Sequence, residues 1–480
     1  MRGWLGYRVH VSWHITCACA GLLFGVVGSL LAPLPLFHSL MWIAVGVVLF
    51  GVAVYKPMRI VLLCAFLAGV SLGLWRGCGE RLALQSYQPY FGKVVRARGT
   101  VVEDASIGAH GDMRIKVDTV YVGAVPMHGQ LWASLTKNIP VKRGDAVVLT
   151  GQMQAGFGTL AASMYRASVS SIERPTPGDI ARQMRDWFAD AVRKVIPEPE
   201  ASLGLGYLTG QRSALPASLN EQLQAVGLTH AVVASGYNLT ILVALSRRLL
   251  AKKSKYLATL AAALLIGGFM MVTGLSPSMS RAGLVSGLSL LAWYYGRTIH
   301  PIVLLTVAAA ITVWINPSYI WGDIGWYLSF AAFVGVLLVG PLLHGYFWQA
   351  SSRTHIVRGT VIETLSAELV TAPIILHAFG QYAAYALLAN VLVVPLIPLT
   401  MLLVFGAGLG GLLIGQTAHW VALPASVILH TMLWITGYVA GLPGALRIIH
   451  FGAWQVGLYY GLLAIGLGYL WHKTNHRFGN

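Results

Sequence analysis

Apolar runs of about 20 residues recur along this chain, and each is long enough to cross a hydrocarbon layer about 30 Å thick. So many such runs exclude a soluble enzyme and require a multi-pass membrane protein. Of the 480 residues, 56% are hydrophobic and 10% charged, where an ordinary globular domain carries about 25% charged residues. Lys and Arg number 33 against 16 Asp and Glu, a net charge of +17. Such an excess is divided between cytoplasmic topology signals and any polyanionic partner, and the charge alone does not separate the two.

Three apolar segments open the chain, at residues 15–36, 40–55 and 60–74, with Lys56 and Arg59 between the second and third. A basic stretch precedes the first, as in a signal peptide. That run is long and shows no small-residue cleavage site, so it is expected to be a retained span. Cys17, Cys19, Cys64 and Cys78 lie in or beside these runs without CxxC spacing and read as small hydrophobes. Lys and Arg collect in cytoplasmic loops, which puts the N-terminus and the Lys56 loop inside and delivers the next segment outside.

Residues 80–175 have a soluble composition and the period-2 alternation of strands, clearest from Arg114 to Val120. Further strands are expected at 94–102, 130–135, 146–152 and 165–172, with turns at 108–112 and 143–145. Five short strands in this length predict an extracytoplasmic all-β domain, a small barrel of oligonucleotide/oligosaccharide-binding (OB) type.

Residues 176–224 form the next region. Asp179 is placed to cap a helix in which Ile180, Met184, Trp187, Phe188, Ala191, Val192 and Val195 recur at helical spacing, while Arg182, Arg185, Arg193 and Lys194 share the remaining surface. This pattern predicts a helix lying in the membrane interface, followed by short connecting helices. From 225 to 480 the chain reads as a membrane domain. The basic residues Arg247, Arg248, Lys252, Lys253 and Lys255, then Arg297, Arg353, Arg358, Lys473 and Arg477, fall on one side if the whole chain makes about 12 crossings with both termini cytoplasmic. The run 383–414 exceeds one span and contains Asn390, Pro395 and Pro398, which predicts a broken or re-entrant helix.

Candidate chemistry is sparse. From residue 225 onward the acids are Asp323, Glu363 and Glu368. Membrane carboxylates are functional by default, but each of these also fits a helix-end or interfacial charge. His10 and His14 stand one turn apart without the Glu of a zinc-binding HExxH. His230 and Ser235 are five positions apart, about 140° around a helix, and so face different ways. No catalytic group, metal site, Walker A motif or cofactor is read from the sequence. Arg281 and Arg447 occupy short loops on the outer side, where a topology signal does not belong. Arg281 follows Ser276-Pro277-Ser278-Met279-Ser280 at a helix start suited to anions, and snorkelling to headgroups is the other explanation.

From Gly227 onward the sequence resembles the ComEC family of competence proteins. Gly227-Leu228-Thr229-His230 followed by Ala234-Ser235-Gly236 is similar to that family's GLxHLLAISGLHI signature, with Tyr237-Asn238 in place of Leu-His. Ser280-Arg281-Ala282 resembles its S-x-x-RA element, and Gly325-Trp326-Tyr327-Leu328-Ser329-Phe330 its GFQLSF, with Tyr327 for Gln. Pro373, Phe379-Gly380-Gln381, Asn390 and Pro395 follow the late pattern of a Pro, an FG pair and an N-x4-P element. The resemblance implies an inner-membrane channel of bacteria that passes single-stranded DNA inward during natural transformation. It also implies a separate DNA receptor, nuclease and cytoplasmic ATPase or helicase, because the metallo-β-lactamase-like domain of many relatives and its HxHxDH motif are not found in this sequence. His230, Ser235, Gly236, Asn238, Arg281, Asp323, Tyr327, Ser329 and Asn390 are then candidates to line the channel. Arg96, Arg98, Arg114 and Lys116, with Tyr121 and Trp132, are candidates to hold DNA on the barrel. A transporter or flippase for a lipid-linked or small anionic solute is the alternative reading, and a membrane hydrolase around His230 and Ser235 is disfavoured by the missing acid.

Overall fold

The computed structural model describes residues 10–55, 61–108, 111–137, 139–211, 215–232, 236–274, 276–347 and 356–474. Ser235 and the loop charges Lys56, Arg59, Arg353 and Arg477 lie outside the described residues. The chain divides into two compact units, Met1–Asp179 with Ile299–Trp326, and Ile180–Thr298 with Tyr327–Asn480.

In the first unit, helices α1 (Val11–Gly28), α2 (Leu40–Tyr55) and α3 (Leu62–Leu84) precede the β domain. The sequence spaces glycines at Gly21 and Gly25 on α1 and at Gly69 and Gly73 on α3, and these faces meet. A Cβ on Gly21 would overlap the Phe66 carbonyl, one on Gly25 the Val70 carbonyl, one on Gly69 that of Ala18 and one on Gly73 that of Leu22. Lipid offers no hydrophobic drive for helix pairing, so backbone-to-backbone packing of this kind is what holds such helices together. Helix Pro301–Ile315 and the short helix Ser318–Gly322 also pack on α1, with the Trp321 indole donating to the Val26 carbonyl at 3.0 Å.

Five main strands follow: β1 (Val94–Val101), β2 (Met113–Val122), β3 (Leu131–Leu135), β4 (Ala146–Ala155) and β5 (Ala162–Glu173). β1 pairs antiparallel with both β2 and β4, β2 with β3, β4 with β5, and β3 parallel with β5, so the ring β1-β2-β3-β5-β4 closes on itself. Alternating Ala97, Ile115, Val117, Leu131, Ala133, Val147 and Leu149 fill its interior with Tyr87, which enters from the preceding 3-10 turn Gln85–Tyr90. This is the OB-type barrel expected from the alternation. At one end, Arg174 grips the buried Asp145 through two bonds of 2.9 Å, and Arg143 donates to Asp179 at 2.6 Å, so Asp179 serves as a salt-bridge partner of the barrel.

The second unit begins with α4 (Ile180–Val195) and α5 (Glu200–Thr209), which is buried except at Leu208. After a short helix, Ala217–Ala225, come α6 (Thr229–Val232), α7 (Gly236–Leu250), α8 (Lys255–Thr273), α9 (Pro277–Tyr294), α10 (Ile324–Val334, which starts in the first unit), α11 (Ile356–Ala378), α12 (Ala386–Val393), α13 (Ile397–Ile414), α14 (His419–Ala440) and α15 (Ala453–Thr474). α10 runs through a π turn, Gly335–Val339, into Gly340–Phe347. The expected break in 383–414 falls at the 3-10 turn Val394–Leu396 between α12 and α13, where Pro395 cannot donate. Within α11, Pro373 leaves the Leu369 carbonyl without its helical donor, and the Tyr459 hydroxyl of α15 donates to it at 3.0 Å. Tyr460 does the same for Val370 at 2.8 Å.

By length and composition, 6 helical stretches among the described residues can cross a membrane: Val11–Gly28, Leu62–Tyr90, Lys255–Thr273, Ile324–Phe347, Arg358–Ala378 and Ala386–Ala440, the last of which contains α12 to α14. Leu40–Tyr55 and Pro301–Ile315 are shorter apolar helices. The expectation of about 12 crossings counts further helices, α7, α9 and α15 among them.

The glycine seam yields a stability prediction. Gly73→Val forces the α1 and α3 backbones apart and should cost about 3 kcal/mol or more, read as earlier thermal unfolding of the detergent-solubilised chain. Gly51→Ala on α2, where a Cβ meets nothing, should be neutral or slightly stabilising.

Candidate functional site

Around α5 the second unit gathers polar groups that the sequence distributes over distant segments. α7 starts at Gly236, where a Cβ would press to 2.7 Å from the Ala282 Cβ of α9, so the two helices meet beside Arg281. Asn238, fully buried in the first turn of α7, donates from Nδ2 to the Tyr207 carbonyl of α5 at 3.1 Å. Arg281 does not open its helix as expected. α9 begins at Pro277, and Arg281 sits one turn inside it, 3% exposed. A snorkelling side chain would reach outward, and this one is enclosed by protein. Met279 and Ala282 beside it belong to the apolar cluster with Leu239, Val243 and Ile266.

A second polar pair, the buried Asn390 and the half-buried Glu368, lies on α12 and α11. Asn390 donates to Glu368 Oε1 at 3.4 Å, which gives that glutamate a partner inside the protein. The other expected lining residues are more dispersed. His230 is exposed on α6, Tyr327 is exposed and Ser329 half-buried on α10, and Asp323 belongs to the first unit, ending the short helix Ser318–Gly322.

Two features of this unit escape a reading by sequence. The expectation that Arg182 and Arg185 share the outer surface of α4 fails. Both are 6% exposed and converge on Asp186, while Ile180, Met184 and Trp187 point outward. Arg193 and Lys194, the other two basic residues of this helix, are exposed as expected. Separately, Glu200 accepts from His430 Nδ1 at 2.9 Å beside a cavity of about 380 Å³ lined also by Pro197, His419 and Ser426. These groups are more than 200 residues apart in sequence, so no local spacing could signal them.

On the barrel the six expected residues divide by their partners. Arg98 pairs with Glu173 at 3.2 Å and stands opposite Tyr121, and Lys116 pairs with Glu103 at 3.0 Å. Arg114 donates to Asp112 at 2.9 Å, and its bonds and that of Ser134 hold the Asp112 carboxyl below the ordinary carboxylate range. Arg96 is exposed and makes no ion pair among the described residues. Trp132 meets Phe157 and Tyr165 edge-on at 5.5 and 5.2 Å, with the Arg114 guanidinium 5.8 Å from its ring. Phe157 and Tyr165 extend this aromatic group beyond the residues read from sequence.

The model of the competence protein family matches residues 207–473, more than half of the chain, including the helices that carry Asn238, Arg281 and Asn390. This chain belongs to the competence protein family, of the ComEC type. ComE operon protein 3 of Bacillus subtilis (strain 168) is 24% identical over 241 residues, which cover 49% of this chain and 30% of that protein. The aligned segment thus spans less than a third of the length of that relative. No solved structure matches. The competence family segment begins at Tyr207, whose carbonyl receives Asn238, so the match includes the end of α5 that anchors α7.

That anchor can be tested alone. Asn238→Leu keeps the branched heavy-atom outline but leaves the Tyr207 carbonyl without this donor, and should cost about 1–2 kcal/mol in thermal or denaturant unfolding.

Proposed function

We propose that this chain passes a single strand of DNA across the bacterial cytoplasmic membrane into the cell during natural transformation. The observation that carries the reading is that the competence family match takes in buried polar residues among apolar helices: Asn238 bonded to α5, Arg281 on α9, and Asn390 bonded to the half-buried Glu368. Polar and ionisable groups at membrane depth are costly and mark pathways for polar cargo. A polyanion needs a wet passage with basic and neutral polar contacts that do not hold it too tightly.

In this reading the chain makes about 12 crossings, both termini are cytoplasmic, and the barrel faces outward where it meets the strand first. Arg96 offers phosphate a guanidinium that needs no release from an acid, and Tyr121 and Trp132 offer ring faces or edges to bases. A receptor, a nuclease and an ATPase or helicase act as separate proteins.

Two experiments test this. In transformable cells producing the chain at matched membrane levels, Arg281→Ala should reduce internalised DNA by tenfold or more, and Arg281→Lys should reduce it less because charge remains while the planar fork is lost, each fork contact to phosphate being worth about 1.5–3 kcal/mol. Normal import by Arg281→Ala would refute a contact between this residue and the strand. For the barrel, Arg96→Ala should weaken binding of a single-stranded oligonucleotide by the full chain and lower the slope of log K against log salt by about 0.7. Arg98→Ala should weaken binding less, since Arg98 must first leave Glu173.

A further inference from the structure

Strand β5 breaks its alternation at one place on the barrel wall. Between the pairs Ala133–Met164 and Leu135–Ala167, β3 advances two residues and β5 three, and against β4 the same excess falls between Gln152–Tyr165 and Thr150–Ser168. This is a β-bulge, whose extra residue re-aims the side chains around it. Met164 and Ala167 stay buried, and the two residues between them, Tyr165 and Arg166, both face solvent. Regular alternation would turn one of them inward. Arg166 holds φ at 52°, a left-handed conformation that is uncommon outside glycine and is retained where the surrounding structure enforces it. Its guanidinium makes no ion pair among the described residues.

The bulge adjoins the aromatic group of the barrel. Tyr165 meets Trp132 at 5.2 Å, Phe157 meets the same indole at 5.5 Å, and Tyr165 and Phe157 are 49% and 50% exposed. Phe157 stands in the tight turn between β4 and β5. Its carbonyl receives the Leu160 N–H at 3.1 Å, and a Cβ on Gly156 would overlap the Leu160 carbonyl. Rings fixed in this way lose little freedom when a ligand arrives. The neighbouring cations are already neutralised, Arg114 by Asp112 and Lys116, cross-strand from Trp132, by Glu103. Arg166 has no such acid. Exposed rings also anchor proteins at a membrane interface, but these have polar surroundings, with the exposed Gln152 opposite Tyr165 and Lys116 opposite Trp132, which suit a hydrated ligand.

We propose that the Tyr165–Arg166 bulge, with Phe157 and Trp132, is a nucleotide subsite of the barrel in which an unstacked base lies against the exposed rings and the adjoining phosphate bonds the Arg166 guanidinium. The ligand class is single-stranded nucleic acid, so this rests on the reading above and adds to it the residues that recognise bases. Every base has a π-face, so stacking accepts any sequence, and the planar fork of an arginine matches phosphate. Because the other cations of this patch are spent on acids, ring contact rather than bulk charge is what lets the barrel tell a nucleic acid from another polyanion. Neither Tyr165 nor Arg166 stands out in the sequence, since their joint exposure comes from the bulge.

The test measures binding of the detergent-solubilised full chain to a labelled oligothymidylate and to an abasic strand of the same length over a series of salt concentrations. F157A/Y165A should weaken oligothymidylate binding by about tenfold, leave the abasic strand unaffected and keep the slope of log K against log salt. R166G should weaken both strands and lower that slope by about 0.7. It should also unfold at or above the parental midpoint, because glycine adopts a positive φ without strain. R166K, which keeps the charge, should keep the slope. Parental binding by F157A/Y165A, or an equal loss on both strands, would return the rings to packing or membrane anchoring and overturn the proposal, as would a parental slope in R166G. If the parent chain binds neither strand, the barrel reading itself fails, an outcome distinct from a parent that binds and variants that bind as well.

Discussion

A polar group surrounded by hydrocarbon has no water to bond, and this constraint shapes most of what distinguishes the second unit. Its helices carry breaks and charges that a soluble protein would simply hydrate. Pro373 frees a carbonyl on α11, and a tyrosine hydroxyl from α15 takes the missing donor's place. Asn390 and Glu368 bond each other, Asn238 bonds a helix carbonyl, and the arginines of α4 bond Asp186. The polar atoms are drawn to α5 and its surroundings because the outer faces are given over to side chains such as Trp187, Leu413 and Trp420.

Much of the architecture is legible from periodicity. Alternation alone places all five main strands to within a few residues, because one face of each strand fills the barrel and the other meets water. Long apolar runs locate α1, α2, α3, α8 and α11, and the prolines locate the break before α13. The closure of the ring is less visible: the parallel pairing of β3 with β5 joins residues about thirty positions apart, and nothing in either strand specifies its partner.

Sequence spacing misleads where the solvent changes. On α4, Arg193 and Lys194 are exposed as the periodicity predicts, and the reading fails only at Arg182 and Arg185, which turn inward onto Asp186. The partners of charged residues are hidden for another reason. Arg98 and Lys116 read as free cations because Glu173 and Glu103 come near them only after the strands register. Arg96 and Arg98 look equivalent in sequence and differ in the fold by a single carboxylate.

The glycine seam between α1 and α3 has a mechanical side. Where two backbones lie this close, each carbonyl ridge sits in a notch left by a missing side chain, and the notches repeat every four residues. Sliding one helix along the other by less than that repeat, about 6 Å, would drive a ridge over a neighbouring side chain. The pair therefore behaves as a toothed strut with discrete settings and no gentle glide between them. Any motion that accompanies the work of this unit has to be taken up by its other helices, while α1 and α3 serve as the fixed bar against which they move.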